Sequence, residues 1–464
     1  MKDLFNIRKI LNLAVNVQVK GNLQKAEDLY SGILDKEPEN INALHLLGVV
    51  KYQQNNFEKA VEFIKKAIEL NPNIALFYGN LGMVYDKLGN EEESIESFEK
   101  AIEIDPDYPN SYMAYYNLGI SFMNKREFEK SWKYFNKAIE LNKDFFDAYW
   151  NRGLVLLNLG ELEKGFEDFE YRFKKKSPTD SRVFNKPKWD CDSLIGKRIL
   201  VLSEQGFGDN IQFIRYIPLL KEKGAYVLFE CKKELRKLFE NIGVDEFVEK
   251  EDVVGLEFDY YIHLMSLPRV FNTNLENIPN NVPYLKTDKE LAEKFKKEIN
   301  CDDFKVGVVW QGNPEQENNE NRSTDFEYFR KIKEISGIKL FSLQKGINFE
   351  KLDNFGVVDL SDKINDFADT AAIIENMDLI ISVDTAVAHL AGAMNKPCWT
   401  LLCFNSDWRW LLDRKDSPWY PNMKLFRQKT AGDWSRVFEE VVRELRMLGE
   451  DFFEVLMFNA DKFK

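Results

Sequence analysis

A 34-residue period governs the first third of this chain. Glu37-Pro38, Asn71-Pro72 and Asp105-Pro106 recur at that spacing, the interval of a helix pair that covers its apolar face only by stacking on the next pair. Ala14, Gly48, Gly82, Gly119 and Gly153 share one register position, and Ala26, Ala60, Ser94, Ser131 and Gly165 share another. Small residues at both places predict two helices crossing closely, with Tyr30, Ile64, Phe98, Phe135 and Phe169 filling the gaps between pairs. The spacing lengthens by about three residues near Pro109-Asn110-Ser111, as a loop insertion would lengthen it.

The pattern resembles tetratricopeptide repeats over roughly residues 7–177, about five units, and such stacks present a concave binding surface. One register position holds Leu46, Asn80, Asn117 and Asn151. Asparagines in register offer a donor and an acceptor each, suited to gripping a peptide backbone in the inner groove. Asn is also simply common at this place in such repeats, and both readings stand.

The second part alternates. A polar linker, 178–197, precedes KRILVLS, AYVLFEC and FDYYIHL, β-type runs separated by helical segments. The alternation restarts at KVGVVWQG and continues through KLFSLQ, DLIISV and CWTLLC. Strands interleaved with helices predict parallel, doubly wound sheets. We read two Rossmann-like lobes, 198–290 and 291–447, and a tail, 448–464. Two such lobes face a cleft at the C-terminal ends of their strands.

Composition narrows the function classes. The formal net charge of −13 disfavours non-specific binding to nucleic acid or an anionic membrane. No run of about 18 apolar residues is present, so no membrane span is expected. Five scattered cysteines read as reduced thiols of a cytoplasmic protein, and three histidines make a multi-histidine metal site unlikely.

The chemistry concentrates at the strand ends. After DLIISV, Asp384 is the expected N-cap of a helix that opens Thr385, Ala386 and reaches His389 one turn in. Such a helix start suits a diphosphate, and equally it is a plain capped helix with a core histidine. EQGFGDN carries Gly206 and Gly208 of a dinucleotide fingerprint, but Ile211 replaces its third glycine and Asp209 would oppose a pyrophosphate. A dinucleotide-dependent oxidoreductase is therefore disfavoured. Asp209 reads as a cleft carboxylate able to take a proton from a hydroxyl, or as a first-turn acid serving the helix dipole. In WQGNPEQENNENRST, Gly312 permits close backbone approach and Arg322 offers charge-assisted bonds to a diphosphate. Gln344 and Lys345 end the next strand. In 405–423, Trp408, Trp410, Trp419 and Tyr420 surround Arg409 and Arg414, either to stack on a ligand or to anchor a loop.

Together EQGFGDNIQFIRY, VGVVWQGNP with NRS, SLQK, DFADTAAII, SVDTAVAHLAGA and SDWRWLLDRKDSPWYP resemble the heptosyltransferase type of glycosyltransferase, with its GT-B fold, in the version fused to tetratricopeptide repeats. The resemblance covers residues 186–447. It implies Asp209 as the base, and a donor site holding Arg322, Asp384, Thr385 and His389. Our reading of the strand ends adds His263, at the end of YYIHL, as the alternative base, and Gly312, Asn313, Ser323, Gln344, Lys345 and Ala386 to the donor site. Gln205, Gly206, Gly208, Gln212, Trp408 and Arg409 fall on the acceptor side. Ala386 stands where many heptosyltransferases have Gly, which leaves backbone donation intact.

The expected protein is thus an α-helical tetratricopeptide solenoid followed by a GT-B pair of α/β lobes. Its expected activity is inverting, metal-independent transfer of a sugar from a nucleotide-sugar to a hydroxyl, without a cofactor. The fusion to repeats points to Ser or Thr of a protein, flagellin-like by the resemblance, held by Asn80, Asn117 and Asn151. A non-catalytic repeat scaffold with inert lobes and a transferase acting on a surface glycan are the alternatives.

Overall fold

The computed structural model describes residues 2–253, 255–316, 318–346 and 356–460. The chain divides into two compact units, 1–155 with 174–177, and 156–173 with 178–464.

The first unit is a stack of antiparallel helix pairs. Its helices are Lys2–Val19, Leu23–Leu34, Ile41–Gln53, Phe57–Leu70, Ala75–Leu88, Glu91–Ile104, Ser111–Asn124, Phe128–Leu141 and the start of Phe146–Asn158. Asn22, Asn40 and Asn56 cap three of them through bonds to Lys25, Ala43 and Lys59 N–H. At three helix ends Asn71, Asp105 and Asn142 accept from the N–H two residues on, each at 3.1 Å. These Asx turns, with Pro72 and Pro106 unable to continue a helix, set the repeat length. The expected close crossings are present. A Cβ on Gly48 would lie 2.6 Å from Ile64, and one on Gly119 2.6 Å from Phe135. Where the opposing small residue is serine, its hydroxyl adds a bond: Ser94 to Gly82 O at 3.0 Å and Ser131 to Gly119 O at 2.6 Å. The lengthened spacing becomes the connection from Ile104 to Ser111, with Asn110 at positive φ.

The second unit begins earlier than the sequence suggested. Residues 156–173, read as the end of the repeats, belong to it. The reason is Arg172, fully buried, which donates to Glu204 Oε2 and Oε1 at 3.0 and 2.8 Å and to Ser266 Oγ at 2.8 Å. Phe166 packs edge-on against Trp408 with ring centroids 5.6 Å apart.

One parallel sheet of this unit comprises β1 (Arg198–Leu202), β2 (Tyr226–Glu230), β3 (Glu246–Val248) and β4 (Tyr260–His263), in the order β3-β2-β1-β4. The other comprises β5 (Phe304–Val309), β6 (Ile338–Ser342), β7 (Val358–Asp359), β8 (Leu379–Val383), β9 (Cys398–Leu402) and β10 (Met423–Arg427), in the order β10-β9-β8-β5-β6-β7, again all parallel. β8 and β9 are buried throughout, which is why they read as unbroken apolar runs. The final helix, Trp434–Ala460, lays Trp434, Val437, Phe438, Val441 and Leu445 into the core of the second sheet. It runs past the expected boundary at 448, so no separate tail begins there; 461–464 lie outside the described residues. Among the described residues no helix is long and apolar enough to cross a membrane.

Candidate active site where the two sheets meet

β8 delivers the chain to the helix Ala386–Ala393. Its N-cap is Thr385, in extended conformation, rather than the expected Asp384, and no side chain caps the helix start. Thr385 Oγ1 instead pairs with Ser382 Oγ at 2.9 Å. The first amides therefore keep their donor capacity for an anion. Burial pushes the Asp384 carboxyl up to about 6, aided by Asp407 and opposed by Arg322 and Arg409.

Arg322 ends the short helix Asn319–Arg322 and donates through Nη1 to Asp384 O at 3.2 Å. Its guanidinium lies flat over Gly312, where a Cβ would come within 2.5 Å of Cζ. Only glycine admits that approach. Arg322 Nε is buried without a hydrogen-bond partner among the described residues. Other expected donor residues are committed to the loop itself. Gly312 N donates to Ser323 Oγ at 3.1 Å, and Asn313 Oδ1 accepts from Glu315 N at 3.1 Å. Gln344 Oε1 accepts from Trp310 N and Gln311 N at 3.1 and 2.9 Å, so it braces the end of β5, while Lys345 is exposed.

Across the cleft, Gly206 caps the helix Phe207–Phe213 and Asp209 is its third residue. Two readings of Asp209 were open, a cleft carboxylate and a first-turn acid. Its Oδ2 accepts from Gly206 N at 2.8 Å, as a first-turn acid does, and its Oδ1 accepts from Arg409 Nη2 at 2.5 Å. Each oxygen retains a second lone pair. Loss of water raises the Asp209 pKa, with Arg409 and the Gly206 N–H pulling the other way. Arg409, itself buried, also donates to Gln212 Oε1 at 2.5 Å and to Asp407 Oδ1 at 2.8 Å. It ties the two lobes together.

His389 closes the group. It is buried and stacked on Trp410, with centroids 5.2 Å apart, and Nδ1 pairs with Tyr420 Oη at 2.9 Å. Burial and the charges of Arg409, Arg215 and Arg322 hold its pKa well below the usual range, so the ring is neutral at pH 7. Trp408, Trp410, Trp419 and Tyr420 are all buried, which decides for the anchoring reading of that loop. The sequence reading missed Arg215, Tyr284 and Asp407 as supports. Arg215 donates to Pro279 O, Trp419 O and Tyr284 Oη. A lone arginine inside the apolar run IQFIRYIPLL was the available signal.

Residues 349–431, which hold the uncapped helix and the aromatic loop, match glycosyltransferase family 9 (heptosyltransferase). Residues 41–74, 75–108 and 116–181 match tetratricopeptide repeat models. A stretch similar to tetratricopeptide repeats thus precedes a stretch similar to glycosyltransferase family 9. It is similar to Protein FlbA of Caulobacter vibrioides, 25% identical over 329 residues, 64% of this chain and 54% of that protein. The chain thus spans about half the length of this relative. Among solved structures, that of MamA protein is 23% identical and covers 38% of this chain and 97% of that chain, with a TM-score of 0.32. That of YrrB, described as a TPR protein with an unusual peptide-binding site, is 20% identical over 35% of this chain and 83% of that chain, with a TM-score of 0.31.

Within the second unit, His263 stands apart from this constellation. Nε2 pairs with Asp180 Oδ2 at 3.2 Å and the ring packs on Phe173. Asp180 in turn binds Arg182, which reaches Glu230 Oε2 at 2.5 Å. Asp180, Arg182 and Glu230 border a polar cavity of about 620 Å³ at the ends of β1 and β2, lined also by Ser203, Gln205 and Lys232. Burial lowers the His263 pKa.

In the repeats, Asn80 Nδ2 pairs with His45 Nε2 at 2.7 Å, and Asn151 Nδ2 donates to Tyr116 Oη at 3.1 Å and Asp147 O at 2.9 Å. These carboxamides bond within the solenoid, and Asn117 is half-buried at the same register. The ladder expected to grip a peptide spends amide donors on its own neighbours.

Proposed function

We propose that this chain transfers a glycosyl group from a nucleoside-diphosphate sugar to a hydroxyl, with inversion and without a metal. The observation that carries the reading is the uncapped start of the helix Ala386–Ala393, flanked by Arg322 and Arg409 and lying beside Asp209. The helix amides and Arg322 would hold the diphosphate and stabilise the charge that grows on it as the glycosidic bond breaks. Asp209, its proton affinity raised by burial, would take the acceptor proton through its remaining lone pairs. Direct attack from the opposite face inverts the anomeric centre. His389, neutral and held by Tyr420, would orient the donor. His263, paired with Asp180 and packed on Phe173, serves better as a support for Asp180 than as the base.

For the acceptor we propose Ser or Thr of a polypeptide, flagellin-like, bound by the repeats and presented in the cytoplasm. Repeat stacks bind partner proteins, and Asn117 lies in the register suited to that task. Mass spectrometry of reactions with UDP-, GDP-, ADP- and CMP-sugars, in EDTA and with a candidate acceptor, tests this. A glycosylated Ser or Thr and an inverted product support it. The absence of donor turnover or acceptor modification across the panel would favour the second reading, an inert scaffold. That reading draws on the pairing of Asp209 with Arg409, which occupies the expected base in the ligand-free chain. A product on a glycan alone would move the acceptor to a surface saccharide.

A further inference from the structure

Arg409 makes three side-chain bonds of unequal character. Nε to Gln212 Oε1 and Nη1 to Asp407 Oδ1 fix the plane of the guanidinium. Nη2 alone reaches Asp209, from a loop that also lies within electrostatic reach of Asp384 and His389 at the helix start. The same cation therefore serves the expected base and borders the expected anion site.

We propose that Arg409 is a positioning residue exchanged between Asp209 and the donor diphosphate, so that Asp209 becomes competent only once the donor is seated. This rests on the donor-site reading above. A diphosphate carries more charge than a carboxylate and competes for Nη2, while Gln212 and Asp407 keep the fork in place. Asp209 Oδ1 then loses its cation as the acceptor hydroxyl arrives, and its affinity for the proton rises. Besides Arg409, the charged groups facing Asp209 are Asp407, Glu204 and Lys232. Two are acids that favour protonation further, and Lys232 is occupied by Gln205 O. The exchange couples the two substrates in order, donor before proton transfer.

Calorimetric titration of the full chain with inorganic pyrophosphate tests this in wild type, D209N, R409Q and the double variant. Removing the Asp209 charge releases Nη2, so D209N should bind about tenfold more tightly, the factor carried by one charge-assisted bond. R409Q and the double variant should bind weakly and alike. Equal affinity of wild type and D209N, or a gain that persists without Arg409, overturns the exchange while leaving the donor site intact. No binding by any variant overturns the donor site and the exchange with it. Thermal melts check folding, and R409K, which keeps the charge without the fork, should show a smaller D209N gain than Arg409 does. In turnover, R409Q should move the acidic limb of the kcat/KM profile to higher pH; a purely structural role would lower activity without moving it.

Discussion

Gly208 of the first lobe leaves no space for a side chain against His389 of the second: a Cβ there would lie 2.8 Å from His389 Cδ2 and 3.6 Å from Ala386 Cα. The loop holding the expected base and the helix start expected to hold the donor therefore touch through backbone. Gly208→Ala should force them apart at a cost of about 1–3 kcal/mol of stability, as overpacking does. Chemical denaturation measures the loss, and turnover should fall further than stability alone explains.

Asp209→Asn keeps the shape and the Gly206 contact but removes the proton acceptor. Sugar transfer should fall by about 100- to 10,000-fold, the span that general-base catalysis supplies. Product formation at saturating donor measures it. Turnover within a few-fold of wild type would remove Asp209 from the role.

Glu204→Gln breaks a buried bidentate pair with Arg172 and weakens the bond to Met265 N. Arg172 keeps its 2.8 Å pair with Glu170, so losing one of its two counter-charges should cost about 1–3 kcal/mol. Denaturant melts followed by tryptophan fluorescence should show the loss in the second unit.

His45 is buried against Phe77 and Asn80, and burial lowers its pKa to about 4. The unfolded chain takes up the proton near pH 6.5 and the folded chain only near 4, so stability falls as pH drops through that window. Between pH 7 and 5 the loss should be about 2 kcal/mol for this group. His45→Gln should flatten that part of the acid dependence in thermal melts of the repeats; an unchanged slope would assign it elsewhere.

Legibility followed burial and locality. β1, β8 and β9 could be read because strands covered on both faces are continuous apolar runs. β3 and β7 are two or three residues long at sheet edges, and β10 carries Lys424 and Arg427 among its apolar residues, so none announced itself. The repeat crossings were legible because the same small residue returns at a fixed interval. The helix start at Thr385 was legible to within one residue. Its partner was not: Arg409 meets Asp209 across 200 positions, and no local pattern encodes which of many arginines makes that bond. The carboxamides of Asn80 and Asn151 show a related limit. Register fixes the face a residue occupies, while the neighbouring helix decides whether its hydrogen bonds are already spent.

The burial of Arg172 bears on how this molecule can be divided. A shortened chain starting after the linker would leave the buried Glu204 carboxyl without its arginine partner and Ser266 stripped of its donor. Any fragment meant to fold on its own should start near Leu156, carrying residues 156–173 with the second unit although they continue the repeat pattern.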